Sequence, residues 1–383
     1  MWLRAGAFYG RTVRPLVLVT ICAVAMLPAA CAPRPPATVP SPAAGADASD
    51  RVRGDLDTVV RTGAVGAIAT LTTGGSTTVA TSGLADIAAK TAIPTDRPEY
   101  VRVGSITKTF TAAVVLQLVA EHRIALDVSV DTYLPGLLSD ARDITVRRIL
   151  GHRSGLPEPP DSPETNEYQA ARDGRTFTPA QEIELALRYP LKFAPGNRFE
   201  YSNTNYIVAG MVIEAVTGHR YGDELRDRIF TPLHLSNTYL PATGEHVLRD
   251  PHPTGYGTVE GIVTDETRME PSLPWASGAM VSTGADLNRF FIALAAGQIV
   301  PQAEWSQMLD GADMGNGDGM FYGLGVGYTR LQCGAQFVGN VGGVYGFSAI
   351  AGATDTGRAA AISYTGTPAA VDIRSLLNHA LCE

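Results

Sequence analysis

The feature that most constrains this chain is a helix with no polar face. Residues 109–121, reading Thr-Phe-Thr-Ala-Ala-Val-Val-Leu-Gln-Leu-Val-Ala-Glu, are apolar almost all round. A helix that offers water no stripe belongs inside a core, with other elements packed on every side. A strand-like run at residues 100–103 precedes it and stops at Gly104. Ser105 therefore falls at the first helical turn, where free backbone N–H groups and the positive end of the dipole stabilise negative charge. Lys108 follows three residues later, on the same face.

A serine hydroxyl is a poor nucleophile until a base takes its proton, and a lysine can do so once burial pulls its pKa from about 10.4 toward neutrality. Ser-x-x-Lys supplies both partners. Of the 30 basic residues only Lys90, Lys108 and Lys192 are lysines. Arginine is written almost everywhere else, and it could not act as a base.

Residues 1–32 have the layout of an export signal: Arg4, Arg11 and Arg14, an apolar run over residues 16–27, then Ala29, Ala30, Cys31 and Ala32. Cleavage at an Ala-x-Ala-like site and lipidation of Cys31 are both open. The run is short for a membrane span. Residues 33–50 are rich in Pro and Ala and read as a flexible tether. The protein is thus expected to be extracytoplasmic, secreted or lipid-anchored. Removal of the leader takes the formal charge from −8 to −11. An acidic chain with no basic stripe argues against nucleic acid as partner. Cys22 and Cys31 lie in or beside the leader, which leaves Cys333 and Cys382 as an even pair in an oxidising context, expected to form a disulfide.

The remaining pattern predicts helices over residues 50–61, 144–150, 179–188, 207–217, 225–230, 285–296 and 370–381. Strands are predicted over 65–71, 77–81, 322–328, 336–339, 347–354 and 358–364, with hairpin signals at Gly74-Gly75 and Asp355-Thr356-Gly357. Strands near both ends with helices between them imply an α/β (α+β sandwich) fold, one antiparallel sheet built from both chain ends and flanked by helices. Residues 51–383 then form a single domain with an all-α insertion over about residues 125–270.

Tyr201 and Asn203 follow the turn signature Pro195-Gly196-Asn197 and stand two apart, so they can point to one side. A phenol beside an ammonium can relay a proton to a leaving group, and an amide can bind a substrate carbonyl while holding a lysine. Together with Val103-Gly104-Ser105-Ile106-Thr107-Lys108, His152-Arg153-Ser154-Gly155-Leu156, Tyr201-Ser202-Asn203-Thr204-Asn205, Tyr322-Gly323-Leu324-Gly325 and Cys333-Gly334, these residues carry a resemblance over residue 51 to the end. The chain resembles the serine penicillin-recognising enzymes: class C β-lactamases, their esterase relatives and an extracellular D-alanyl-D-alanine carboxypeptidase of actinomycetes.

The resemblance implies a β-lactamase/transpeptidase-like fold and a serine hydrolase that needs no metal or cofactor. Ser105 would be acylated, with Lys108 as base, Tyr201 as proton shuttle and Asn203 as substrate clamp. Backbone N–H groups of Ser105 and Gly343 would form the oxyanion hole, and Trp275, Asn340, Gly342, Gly343 and Tyr345 would line the substrate site. Asn340 stands where such enzymes carry a cation, and Gly327 where the carboxypeptidase carries an arginine. Arg330, three residues on, is expected to point away. Substrates would be small molecules or peptides, cell-wall peptide stems or esters among them. Carboxypeptidase or β-lactamase-like chemistry, esterase chemistry, and non-catalytic binding of peptidoglycan or a partner all remain open.

Overall fold

The first long strand of the chain lies beside the last. In the computed structural model, residues 48–138, 141–159, 165–315, 319–369 and 371–382 are described. The expected export signal, Cys31 and all of the tether before Ala48 lie outside them. α1 (Ala48–Arg61) leads into the hairpin β1 (Ala64–Thr73) and β2 (Ser76–Asp86), turned by Gly74 and Gly75 at φ 58° and 84°, and β3 (Thr91–Ala92) extends it. β4 (Val101–Arg102) and α2 (Thr107–Ala120) follow. The middle of the chain carries α3 (Val146–Leu150), α4 (Glu167–Asp173), α5 (Pro179–Ala186), α6 (Thr204–Thr217) and α7 (Tyr221–Leu225). β5 (Tyr256–Val259), β6 (Ile262–Asp265), the single turn α8 (Trp275–Gly278) and β7 (Val281–Ser282) come next. α9 (Gly284–Ala295) and α10 (Gln302–Met308) precede β8 (Ala312–Asp313), β9 (Phe321–Tyr322) and β10 (Gly327–Arg330). The chain closes with β11 (Gln336–Val344), β12 (Phe347–Thr354), β13 (Ala359–Gly366) and α11 (Ile373–Leu381).

Nine strands form one sheet in the order β3-β2-β1-β13-β12-β11-β10-β9-β8, antiparallel throughout. Alternation along each strand divides its side chains between two cores. On one face Ile350, Ile362 and Tyr364 meet Val52 and Leu56 of α1 and Leu376 and Leu377 of α11. On the other, the small residues Ala349, Ala351 and Ala361 let α9 come close, and α2 is packed behind it. Phe110 of α2 stacks on Phe290 of α9 with ring centroids 3.6 Å apart. The helix without a polar face is buried there from Thr107 to Leu116 and again at Leu118, as its composition requires, and only its last turn reaches the surface. A disulfide joins Cys333, in the β10–β11 turn, to Cys382, just past α11.

Local departures from the sequence pattern have local causes. The segment 125–270 is not wholly helical, because β5 and β6 pair as a hairpin. Its turn, Glu260-Gly261, has φ of 50° and 81° at the two centre residues, the double left-handed turn that matches strand twist. The run 322–328 is broken into β9 and β10 by residues 323–326, where Gly325 takes φ 84°. The last helix begins at Ile373, because Asp372 accepts from the Ser375 N–H and caps it.

Candidate active site

Gly104 makes the corner that presents Ser105. β4 is pinned by its pairing to β7, and Gly104 at φ 52° then turns the chain into a single tight helical turn, Gly104–Ile106, that runs on into α2. A Cβ on Gly104 would sit 2.6 Å from the Gly343 nitrogen. One on Gly342 would overlap the Val103 carbonyl oxygen and lie 2.7 Å from the Ser105 nitrogen. Two backbones thus press together because neither has a side chain here, and this brings the amides of Ser105 and Gly343 to one place.

Lys108 is completely buried. Its Nζ donates to Ser105 Oγ (3.0 Å), Asn203 Oδ1 (2.6 Å) and the Ser277 carbonyl (2.7 Å). Burial lowers its pKa to about 7, opposed by the charge of Glu158. A neutral amine keeps two hydrogens, and Asn203 and Ser277 are the acceptors that hold them. Its lone pair is then turned to Ser105 Oγ. Asn203 stands at the start of α6 but does not cap it, so its amide is free for the lysine. Tyr201 OH is 2.6 Å from Ser105 Oγ. Burial, and then Tyr322, push the phenol well above its usual range, so Tyr201 rests protonated. A nucleophile, a base near neutrality and a protonated acid thus share one oxygen atom.

The other expected site residues are held by contacts of their own. Asn340 turns its amide beneath the serine, donating to Thr109 Oγ1 (3.1 Å) and more distantly to the carbonyls of Ser105 and Gly325, so it ties β11 to α2. Trp275, at φ 27°, lays its ring on Gly210 and edge-on to Tyr221 at 5.2 Å. Its contacts are packing contacts, and the backbone turn after it delivers the Ser277 carbonyl to Lys108. Tyr345, in the β11–β12 turn, accepts from Asn166 Nδ2 (2.5 Å) and stacks on Tyr168 at 6.3 Å. Arg330 Nη1 donates to the Gly334 carbonyl (2.7 Å), at the end of β10 remote from Ser105.

Sequence reasoning missed Glu158. Its carboxylate accepts from the Asn203 backbone N–H and acts electrostatically on both Lys108 and Tyr201. The signal was a lone acid among prolines directly after the His152–Leu156 motif. The Ser277 carbonyl was also missed, since a backbone acceptor leaves no residue-type signal.

Residues 49–380 match the profile of the family described as Beta-lactamase. The chain belongs to the beta-lactamase family. Among solved structures of beta-lactamase-like fold, a D-stereospecific amidohydrolase from Streptomyces sp. superposes with a TM-score of 0.79 at 33% identity, over 87% of this chain and 98% of that one. The D-amino acid amidase from Ochrobactrum anthropi, complexed with L-phenylalanine amide, does so with a TM-score of 0.76 at 28% identity over the same shares. Penicillin-binding protein 4 of Amycolatopsis lactamdurans is 29% identical over 49% of this chain and 48% of its own length. An unguisins hydrolase of Aspergillus violaceofuscus is 29% identical over 55% of this chain and 39% of its own length. The chain spans about half or less of the length of these curated relatives.

Proposed function

We propose that the protein is a serine amidohydrolase forming an acyl-enzyme on Ser105, with substrates that carry a free amine beside the scissile carbonyl: D-amino acid amides, or the N-terminal D-residue of a short peptide. The observation that carries this reading is Glu158, a carboxylate bonded to the Asn203 backbone at the edge of the catalytic cluster. A carboxylate there attracts an ammonium. A substrate carboxylate would need a cation, a charged hydrogen bond being worth roughly 1.5–3 kcal/mol. The three positions considered for that role hold Asn340, Gly327 and an Arg330 that is bonded to Gly334. The D-amino acid amidase among the structural neighbours, complexed with L-phenylalanine amide, is named for substrates of the same class.

The chemistry follows from the contacts. Neutral Lys108 takes the Ser105 proton as Oγ attacks the carbonyl carbon, and the oxyanion forms against the N–H groups of Ser105 and Gly343. Loss of one such donor costs about 3–4 kcal/mol. Tyr201 passes its proton to the leaving amine and recovers one from Lys108. Water then attacks the acyl-enzyme by the same route in reverse.

The test compares D-phenylalanine amide, its N-acetyl derivative, a peptide ending in D-alanyl-D-alanine, a penicillin and a neutral aryl ester. The free-amine amide should be turned over and the N-acetyl form should not. Glu158→Gln should raise KM for the amide about tenfold, one lost charge contact, without raising it for the ester. Preference for the D-alanyl-D-alanine peptide would restore the carboxypeptidase reading. Preference for the ester alone would favour the esterase reading, which the neutral, glycine-rich β11 supports. Non-catalytic binding of peptidoglycan or a partner has no observation in its favour.

We also infer that the protein is exported. The Cys333–Cys382 bridge suits an oxidising compartment. Whether Cys31 anchors it to the membrane is tested by labelled palmitate: incorporation lost on Cys31→Ser means a lipid anchor, and none in the native chain means free secretion.

A further inference from the structure

His152 lies behind the reacting groups with no contact to Ser105. It is fully buried and its backbone is left-handed, at φ 53°. His122 and His234 share that conformation, which histidine adopts more readily than most residues, so it is the contacts of the ring that single His152 out. Its ring stacks on Tyr201, centroids 4.3 Å apart and planes 29° from parallel. Nδ1 accepts the Ser202 N–H at 3.2 Å and lies 3.3 Å from Asn205 Nδ2. The His152 carbonyl accepts the Glu200 N–H at 2.9 Å. Ser154 Oγ donates to Asn205 Oδ1 at 2.5 Å. The segment from His152 to Ser154 therefore clasps residues 200–205 from both sides of Tyr201 and Asn203.

The tautomer follows from the partners. With Nδ1 receiving an amide proton, the ring proton is on Nε2, which is buried and meets no acceptor among the described residues. The groups facing the ring are Tyr201, Tyr206, Tyr322 and Phe199, with the charge of Lys108 nearby. Burial, and then Lys108, hold the imidazole neutral. A buried N–H without a partner is costly. An apolar ring would avoid that cost but would give up the Nδ1 acceptor.

We propose that His152 is a positioning residue: as the neutral Nε2–H tautomer it fixes the Tyr201 phenol and the Asn203 amide on Ser105 and Lys108. It exchanges no proton with substrate. The proposal rests on the Ser105 acyl-enzyme reading but not on the choice of substrate, and its test uses an activated acetate ester that needs neither amine nor carboxylate recognition.

His152→Asn keeps an acceptor near Nδ1, and His152→Phe keeps a stacked ring. Each should lower kcat for the ester about 10²-fold, the usual result of misplacing a catalytic group by about 1 Å. KM should stay near the native value, and so should the inflection of the pH profile set by Lys108. A shifted or missing inflection would mean that His152 titrates in the reaction and would overturn the proposal. An unchanged kcat with only a lower Tm would reduce the residue to packing and overturn it as well. If neither variant folds, 15N imidazole spectra of the native protein decide. From about pH 5 to about pH 9 they should show an unprotonated Nδ1 and a constant Nε2–H, and a titrating ring refutes the assignment. Ester turnover surviving in Ser105→Ala would instead sink the catalytic reading, and failure on D-phenylalanine amide alone would sink only the substrate class.

Discussion

At the scale of residues, Ser105→Ala should abolish labelling by a fluorophosphonate, because the hydroxyl held by Lys108 and Tyr201 is the one activated oxygen in the site. Lys108→Arg should lower acylation by about 10²–10⁴-fold, since a guanidinium keeps its proton. The base works deprotonated and its pKa is about 7, so kcat/KM should rise as pH passes through about 7. Glu158 favours the ammonium form. Glu158→Gln should therefore move that rise to lower pH, and a pH–rate profile on a neutral ester measures both effects. Stability follows the same depressed pKa. Between about 7 and the ordinary lysine value of about 10.4 the unfolded chain binds more protons, so stability rises with pH across that window. Denaturation of the native protein against Lys108→Met at several pH values checks the sign. Ser105 and Lys108 were legible because an i, i+3 spacing on a helix is a local fact. Tyr201 and Asn203 were legible only in company with them. Glu158 and the Ser277 carbonyl gain meaning only from distant partners, and the partners of Asn340 were not legible because strand spacing places a residue on a face without saying what its amide will bind.

At the scale of elements, the approach of β11 to the Ser105 turn depends on Gly342. Gly342→Ala would drive a methyl into the Val103 carbonyl and against the Ser105 amide. It should cost about 1–3 kcal/mol, as overpacking usually does, and most of the acylation rate. Equilibrium denaturation and burst kinetics read the two losses separately. The long elements were legible: the apolar α2, the glycine-turned β1–β2 hairpin, and β12 and β13 with their intervening turn. The strand-like run before Gly104 was legible too, as β4, but the two-residue strand β7 and the single turn of α8 were not, since tertiary contacts alone hold such short pieces in shape. The β5–β6 hairpin had a readable signal in its β-branched residues around Glu260-Gly261, which the helical character of the surrounding segment obscured.

At the scale of the whole molecule, the Cys333–Cys382 bridge closes a loop of 49 residues and should contribute about 4 kcal/mol by restricting the unfolded chain. Reduction, or Cys382→Ser, should lower the denaturation midpoint accordingly. The union of both chain ends in one sheet was legible from strands at the two termini, but strand order was not, because pairing partners leave no mark in periodicity. That union has a consequence for the time before the molecule is complete. Synthesis delivers a chain from its N-terminus, so β1 and β2 emerge early while β13, which must cover the open edge of β1, emerges nearly last. Long-range pairing of this kind is slow and leaves an unpaired edge in the meantime. Ser105 also emerges early, yet the Gly343 amide that would receive its oxyanion arrives with β11. A half-made chain thus carries a nucleophile that can attack nothing, and a chain cut short before β11 is an inert fragment with an exposed strand for proteases and chaperones to find.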